Sequence, residues 1–166
     1  MRMDALNEVL ENLLNLHRSL LALAADKKRV LLAGEIDALV EITHQEQKLI
    51  KAVTLAEQNR IEIVQELLKA KGLPGTEGTI AGLLKTLTSA EEKKRLKNIR
   101  EQLLGIVSEL REANELNQQL LGQSLSFVNA NLELLTDSPE EDFVYRKPSA
   151  NTHHPYAGRS FLNTKA

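Results

Sequence analysis

The fold of this chain is decided by residues 89–136, which read SAEEKKRLKNIREQLLGIVSELREANELNQQLLGQSLSFVNANLELLT. Ser89 to Glu92 match a capping box, in which the serine hydroxyl accepts a hydrogen bond from the amide three residues on. No proline follows before Pro139, so the stretch predicts one helix about 70 Å long. A polar helix of that length needs partners. We therefore expect it to pack along the helices that precede it.

One apolar stripe runs the whole length of this helix at helical spacing, and we assign it to the core. The stripe consists of Leu96, Ile99, Leu103, Ile106, Val107, Leu110, Leu121, Leu125, Val128, Leu132 and Leu135. Two further apolar series predict helices over about 3–33 and 35–70, and a short connecting helix is expected over about 78–87. Gly34 between the first two series fits either a sharp reversal or a soft kink.

These elements predict an all-α fold, an elongated antiparallel bundle of three long helices. Residues 1–136 form its helical domain. We expect residues 137–166 to be a disordered, flexible tail. Four of the five aromatic residues fall in that tail, which is too polar to build a core. Phe143 and Tyr145 are candidate anchors for another protein, with Tyr156 and Phe161 as further aromatic positions, unless the first pair folds back onto the end of the bundle.

A second apolar stripe starts only at Leu116, roughly 120° around the long helix from the first. It comprises Leu116, Leu120, Phe127 and Leu134, with Asn131 beside it. Either the first and second helices each cover one stripe, or the second stripe receives an amphipathic helix from another protein. Two roles are also open for Asn114, Asn117 and Asn131. They are either buried residues that fix the register between helices or surface residues.

The composition argues against several classes of function. A net charge of −2 gives no basic field for nucleic acid, and the chain has no cysteine for disulfides or thiolate sites. The longest apolar run, Leu20 to Ala25, is too short to span a membrane, so we expect no membrane insertion. Glu41 and His44 supply only half of a di-iron motif, and His17 is expected to be partly buried and hydrogen-bonded. We expect a cytoplasmic protein that is not an enzyme and uses no metal or cofactor.

Five parts of the chain stand out together in this order: LLAGEIDAL at 31–39, QEQKLI at 45–50, EQNR at 57–60, NQQLLGQSLSFVNANLELL at 117–135, and a tail with Tyr145 that ends FLNTKA at 161–166. In their sequence and order they resemble the FlgN family of flagellar type III export chaperones. The resemblance covers nearly the whole chain, and none of these segments is a catalytic signature.

The resemblance implies a cytoplasmic helical protein that binds the C-terminal helical region of hook-associated flagellar proteins. It implies that such a protein prevents their premature assembly and delivers them to the type III export apparatus. In the family, client contacts are attributed to the C-terminal part of the chain, which agrees with the second stripe. We therefore expect the client contacts to be Leu116, Leu120, Phe127, Asn131 and Leu134. Tyr145, with Phe143, is the match for docking to the membrane export gate, and the export ATPase is a further partner to consider.

Two other readings stay open at this point. One is a structural coiled-coil protein, a homodimer or an adaptor without a client, in which the second stripe is the seam between copies. The other is a helical-bundle enzyme or metal carrier.

Overall fold

The computed structural model describes residues 2–73 and 78–136, and this part of the chain is all-helical. Helix α1 spans Arg2–Ala33, α2 spans Ile36–Ala70, α3 spans Ile80–Thr86 and α4 spans Ala90–Thr136. The all-α prediction is confirmed, with three long helices and a short connecting helix at the expected places. The predicted disordered tail, residues 137–166, lies outside the described residues, as do residues 74–77.

The turn between α1 and α2 is a sharp reversal at Gly34. This glycine has φ +72, in the left-handed region, and the Glu35 amide donates to the Val30 carbonyl at 3.2 Å. That bond belongs to the glycine-terminated helix end known as the Schellman motif. Gly72 adopts the same conformation, φ +76, where the sequence predicted the end of α2. The alternative of a soft kink at Gly34 is therefore wrong.

Helices α1 and α2 form an antiparallel hairpin. Near its open end the Arg2 guanidinium lies 3.1 Å from the Glu66 carboxylate, and near its turn the Lys27 ammonium lies 2.7 Å from the Glu46 carboxylate. The second pair is largely buried, with side chains 21% and 15% exposed. Both helices also contribute buried aliphatic residues, such as Leu31 of α1 and Ile42 of α2.

Helix α4 runs parallel to α1, as the third helix of an up-down-up bundle must. The side chains of Arg95 and Glu11 join the two helices at 3.0 Å, and those of Arg18 and Gln102 join them at 3.4 Å. Both pairs are 84 residues apart in sequence, which requires the helices to run in the same direction. The expectation that α4 also packs along α2 is wrong, because no Cα of α2 lies within 8 Å of one in α4.

The core is concentrated at the end of the bundle where α3 packs against α2 and α4. Thr79 caps α3 by accepting from the Gly82 amide at 3.1 Å, and Leu83 is fully buried. The Arg60 guanidinium donates to the Gly78 carbonyl at 3.1 Å and ties the start of this segment to α2. The buried core residues at this end are Leu6, Leu10, Leu13, Ala56, Val64, Leu67, Leu68, Leu83, Leu87, Leu96 and Ile99.

Candidate partner-binding surface

Helix α4 is longer than the hairpin on which it packs. It has 47 residues, against 32 in α1 and 35 in α2. Its last buried residue is Asn117, whose Nδ2 donates to the Ala24 carbonyl at 2.8 Å. Nineteen residues of α4 follow Asn117 but only nine of α1 follow Ala24. Roughly ten residues, about 15 Å of helix, therefore extend past the hairpin.

Every residue from 121 to 136 is exposed, which corrects the prediction for the first stripe. In the N-terminal half of α4 the stripe belongs to the core, because Leu96 and Ile99 are buried and the members from Leu103 to Leu110 are half-buried. The exposed members are Leu121, Leu125, Val128, Leu132 and Leu135. They continue the core-facing side of α4, where Leu121 and Leu125 lie level with the last turns of α1 but stay exposed, and Val128, Leu132 and Leu135 lie beyond its end. This part of the core prediction is therefore wrong.

The second stripe lies on the surface as well. Phe127 is 68% exposed and Leu134 is 75% exposed, whereas Leu116 and Leu120 close to the bundle are partly covered. Asn131 is exposed beside them. These five positions fall within an arc of about 60° on α4 at 100° per residue. The alternative in which α1 and α2 each cover one stripe is wrong for this half of α4, because neither stripe is covered there.

Together the two stripes make a single broad apolar face, which we call the α4 face. It consists of Leu116, Leu120, Leu121, Leu125, Phe127, Val128, Leu132, Leu134 and Leu135. Ser124 and Asn131 lie between the two stripes. Sequence reasoning missed the first-stripe half of this face. A comparison of the predicted lengths of the first and third long helices could have found it.

The polar groups on this part of α4 are mostly uncharged. Glu133 is the one charged residue between positions 116 and 136. The hydroxyls of Ser124 and Ser126 each donate to the carbonyl four residues back at 3.0 Å, so their donors are already used. Covering neutral, internally bonded groups costs much less free energy than covering charges. The α4 face is therefore suited to burial against another apolar surface.

The three asparagines of α4 for which the sequence left two roles open have different environments. Asn117 is 4% exposed and bonds to α1, so it links the register of the two helices. Asn114 and Asn131 are exposed on the surface. The buried reading is confirmed for Asn117 and wrong for the other two.

The remaining candidate positions indicate no chemistry in the described residues. His17 is half-buried, with Nδ1 2.7 Å from the Leu13 carbonyl, which confirms the hydrogen-bonded interpretation. Within residues 2–73 and 78–136, no three His, Asp or Glu side chains are grouped as a metal site would need. None of the helices in that part of the chain combines the length and hydrophobicity that crossing a membrane requires. Phe143 and Tyr145 lie outside the described residues.

Comparison with known proteins identifies relatives of this chain. The model of the family described as "FlgN protein" matches residues 1–153. The chain is 33% identical over 147 residues to the uncharacterized protein YvyG of Bacillus subtilis (strain 168), covering 89% of this chain and 88% of that protein. No solved structure matches the chain.

Proposed function

We propose, from the premise that this chain belongs to the FlgN family, that it is a flagellar export chaperone. In this proposal it binds the C-terminal helical region of hook-associated proteins in the cytoplasm. It keeps those clients from assembling prematurely and delivers them to the type III export apparatus. Binding and release of a protein client need no cofactor and no catalytic group.

The α4 face is the observation that supports client binding. An apolar face about half a helix wide, on a segment that no other described helix covers, exposes surface to water at a free-energy cost. An amphipathic helix laid along that face would remove the cost on both molecules. Leu116, Leu120, Phe127, Asn131 and Leu134 are the client contacts in this proposal, and the exposed first-stripe leucines extend them.

The size of the face fits a reversible complex. A helix packed on four to five turns of α4 would bury several hundred Å² of apolar surface, worth roughly 25 cal/mol per Å² before the costs of association. Those costs include ordering the client segment, which lowers the net affinity. A chaperone that must hand its client to the export apparatus needs such a balance.

The test is client binding by a double variant of the α4 face. Phe127→Ser with Leu134→Ser removes the two most exposed members of the second stripe, and we expect binding of a purified hook-associated protein to be lost. Circular dichroism should show unchanged helicity and melting temperature, because both side chains face water in the free chain. The matched control, Ser126→Ala with Asn129→Ser, alters the opposite side of the same segment and should bind normally.

Two results would contradict the proposal. Normal client binding by the double variant would show that the α4 face is not part of the client site. A collapse of helicity would show that Phe127 and Leu134 stabilise the fold of the chain instead.

A second copy of this chain could also cover the α4 face, so the molecular mass of the free chain in solution must be measured. We expect sedimentation equilibrium to give a mass near the monomer value of 18.5 kDa. A mass near twice that value, returned to the monomer by Phe127→Ser with Leu134→Ser, would favour the coiled-coil homodimer over the chaperone.

The proposal assigns docking at the export gate to Tyr145, with Phe143 beside it, on the resemblance alone. Tyr145→Ala should leave client binding intact and reduce export of the client in living cells. Tyr156→Ala is the matched control in the same tail and should export normally. Equal losses from both variants would argue against a specific role for Tyr145, and loss of client binding would move Tyr145 into the client site. The export ATPase is a further partner that the same export assay can examine.

A further inference from the structure

A groove lies between α2 and α4, above α1. Both outer helices pack on α1, but their Cα atoms stay more than 8 Å apart, and the space between them is about 310 Å³. Ile50 contributes the α2 wall, Leu110 and Leu121 contribute the α4 wall, and Leu20 of α1 contributes to the floor. These aliphatic side chains give the groove an apolar lining.

The polar groups of the groove carry no net charge. Lys27 and Glu46 line it as a pair at 2.7 Å, so each neutralises the other. Asn117 lines it too, and although its Nδ2 bonds to the Ala24 carbonyl, its buried Oδ1 has no hydrogen-bond partner. A buried amide oxygen without a donor is destabilising.

The groove opens onto the α4 face. Leu121 belongs to both, because it lines the groove and begins the exposed part of the first stripe. On the opposite wall, Ile36 and Val40 are exposed between Ile50 and the turn of the hairpin. Both lie within about 80° of Ile50 on α2 at 100° per residue. The apolar surface is thus continuous from the tip of α4 into the cleft between α2 and α4.

We propose that the client helix occupies this groove in addition to the α4 face. The inference rests on the proposed function and extends the client site onto α2. The client helix lies along the first stripe of α4, continues past Leu121 and covers the opening between Ile50 and Leu110. There it makes a fourth helix against α1, α2 and α4.

The groove specifies the chemistry of its occupant. An α-helix is about 10 Å across, so a volume of 310 Å³ takes a few side chains of a helix that lies over the opening. Those side chains must be apolar to match Ile50, Leu110 and Leu121. Beside Asn117 an uncharged side chain fits, because the adjacent Lys27–Glu46 pair is already neutral. A charged side chain would lose its hydration there without gaining an unpaired counter-charge.

The test compares two exposed aliphatic residues of α2. Ile50 lines the groove and is 53% exposed, whereas Leu55 is 69% exposed and about 140° away around the helix. Calorimetric titration of the full chain with a purified hook-associated protein should give a Kd about tenfold weaker for Ile50→Ser. The matched variant Leu55→Ser should bind as the parent chain does.

The outcomes separate this inference from the proposed function. If Ile50→Ser binds normally while Phe127→Ser with Leu134→Ser loses the client, the α4 face is the site and the groove is not part of it. If Ile50→Ser and Leu55→Ser weaken binding equally, the effect is a general one on α2 and the groove inference is overturned. If the parent chain does not bind the client at all, the proposed function itself fails.

Discussion

At position 34 the chain reverses its direction because one residue adopts a conformation that side chains disfavour. Gly34 has φ +72 and open space where a Cβ would stand, so backbone strain alone argues for glycine there. Gly105 has equally open surroundings but lies inside α4 with ordinary helical geometry. The same substitution should therefore have opposite effects at the two positions.

Gly34→Ala should lower the free energy of unfolding by about 1 kcal/mol, since a Cβ is strained at positive φ. Gly105→Ala should raise it by up to about 1 kcal/mol, because alanine favours the helix interior. Urea denaturation of both variants measures the difference. A stabilising effect of Gly34→Ala would show that the hairpin does not depend on a left-handed residue.

Asn117 is the second position where a single side chain matters. It gives one hydrogen bond to α1 and leaves its Oδ1 buried without a partner. Asn117→Leu should leave the free energy of unfolding within about 1 kcal/mol of the parent value or raise it, because it removes an unsatisfied polar atom. Asn114→Leu, an exposed position one turn earlier, is the control for changes in helix propensity. A loss well above 2 kcal/mol, seen only at Asn117, would mean that its hydrogen bond to α1 outweighs the unsatisfied oxygen.

At the scale of the element, α4 has two halves with one sequence pattern and two environments. Residues 96–117 bury part of their apolar stripe against α1, whereas residues 121–136 bury none of theirs. Helix stability in proteins comes mostly from packing of the apolar face. The second half of α4 should therefore open more easily than the first.

Hydrogen exchange of the full chain measures this difference directly. We expect the backbone amides of residues 121–136 to exchange faster than those of residues 96–117, since local opening costs less where no packing is lost. Adding a purified hook-associated protein should slow exchange in the second half. Equal protection of both halves in the free chain would mean that another surface already covers the α4 face.

At the scale of the whole molecule, the core and the binding surface lie at opposite ends. The core gathers around α3, at the N-terminal end of α1, and the α4 face extends past the hairpin turn. Variants of the face can therefore change binding without unfolding the chain. The separation also places the only charge of residues 116–136, Glu133, away from the charged surface of the bundle.

Binding at the α4 face should depend little on salt. The face and the groove present neutral groups and one internally paired Lys–Glu, so few unpaired charges are screened. We expect the Kd for a hook-associated protein to change by less than about threefold between 0.05 and 0.5 M NaCl. Glu133→Gln should behave in the same way. A much steeper dependence on salt would indicate that charged surfaces, rather than the α4 face, hold the client.

Local patterns in the sequence determined the helices and their ends. The apolar periodicity, the glycines at 34 and 72 and the serine at 89 specify where each helix begins or stops, because these signals act over a few residues. The second-stripe positions were predicted in the same way, because residue spacing within a single helix defines them without knowledge of any neighbouring helix. The family resemblance also rests on the sequence alone.

Only the tertiary structure decided which apolar surface remains uncovered. Leu121 and Leu103 belong to one stripe and look alike in sequence, yet Leu103 is half-buried and Leu121 is exposed. Burial depends on the relative lengths and offsets of separate helices, and no local pattern encodes those offsets. The same holds for the distance between α2 and α4, which creates the groove beside Ile50. The distance between α2 and α4 depends on how side chains that are far apart in sequence pack on α1. It is therefore set only once the bundle has formed.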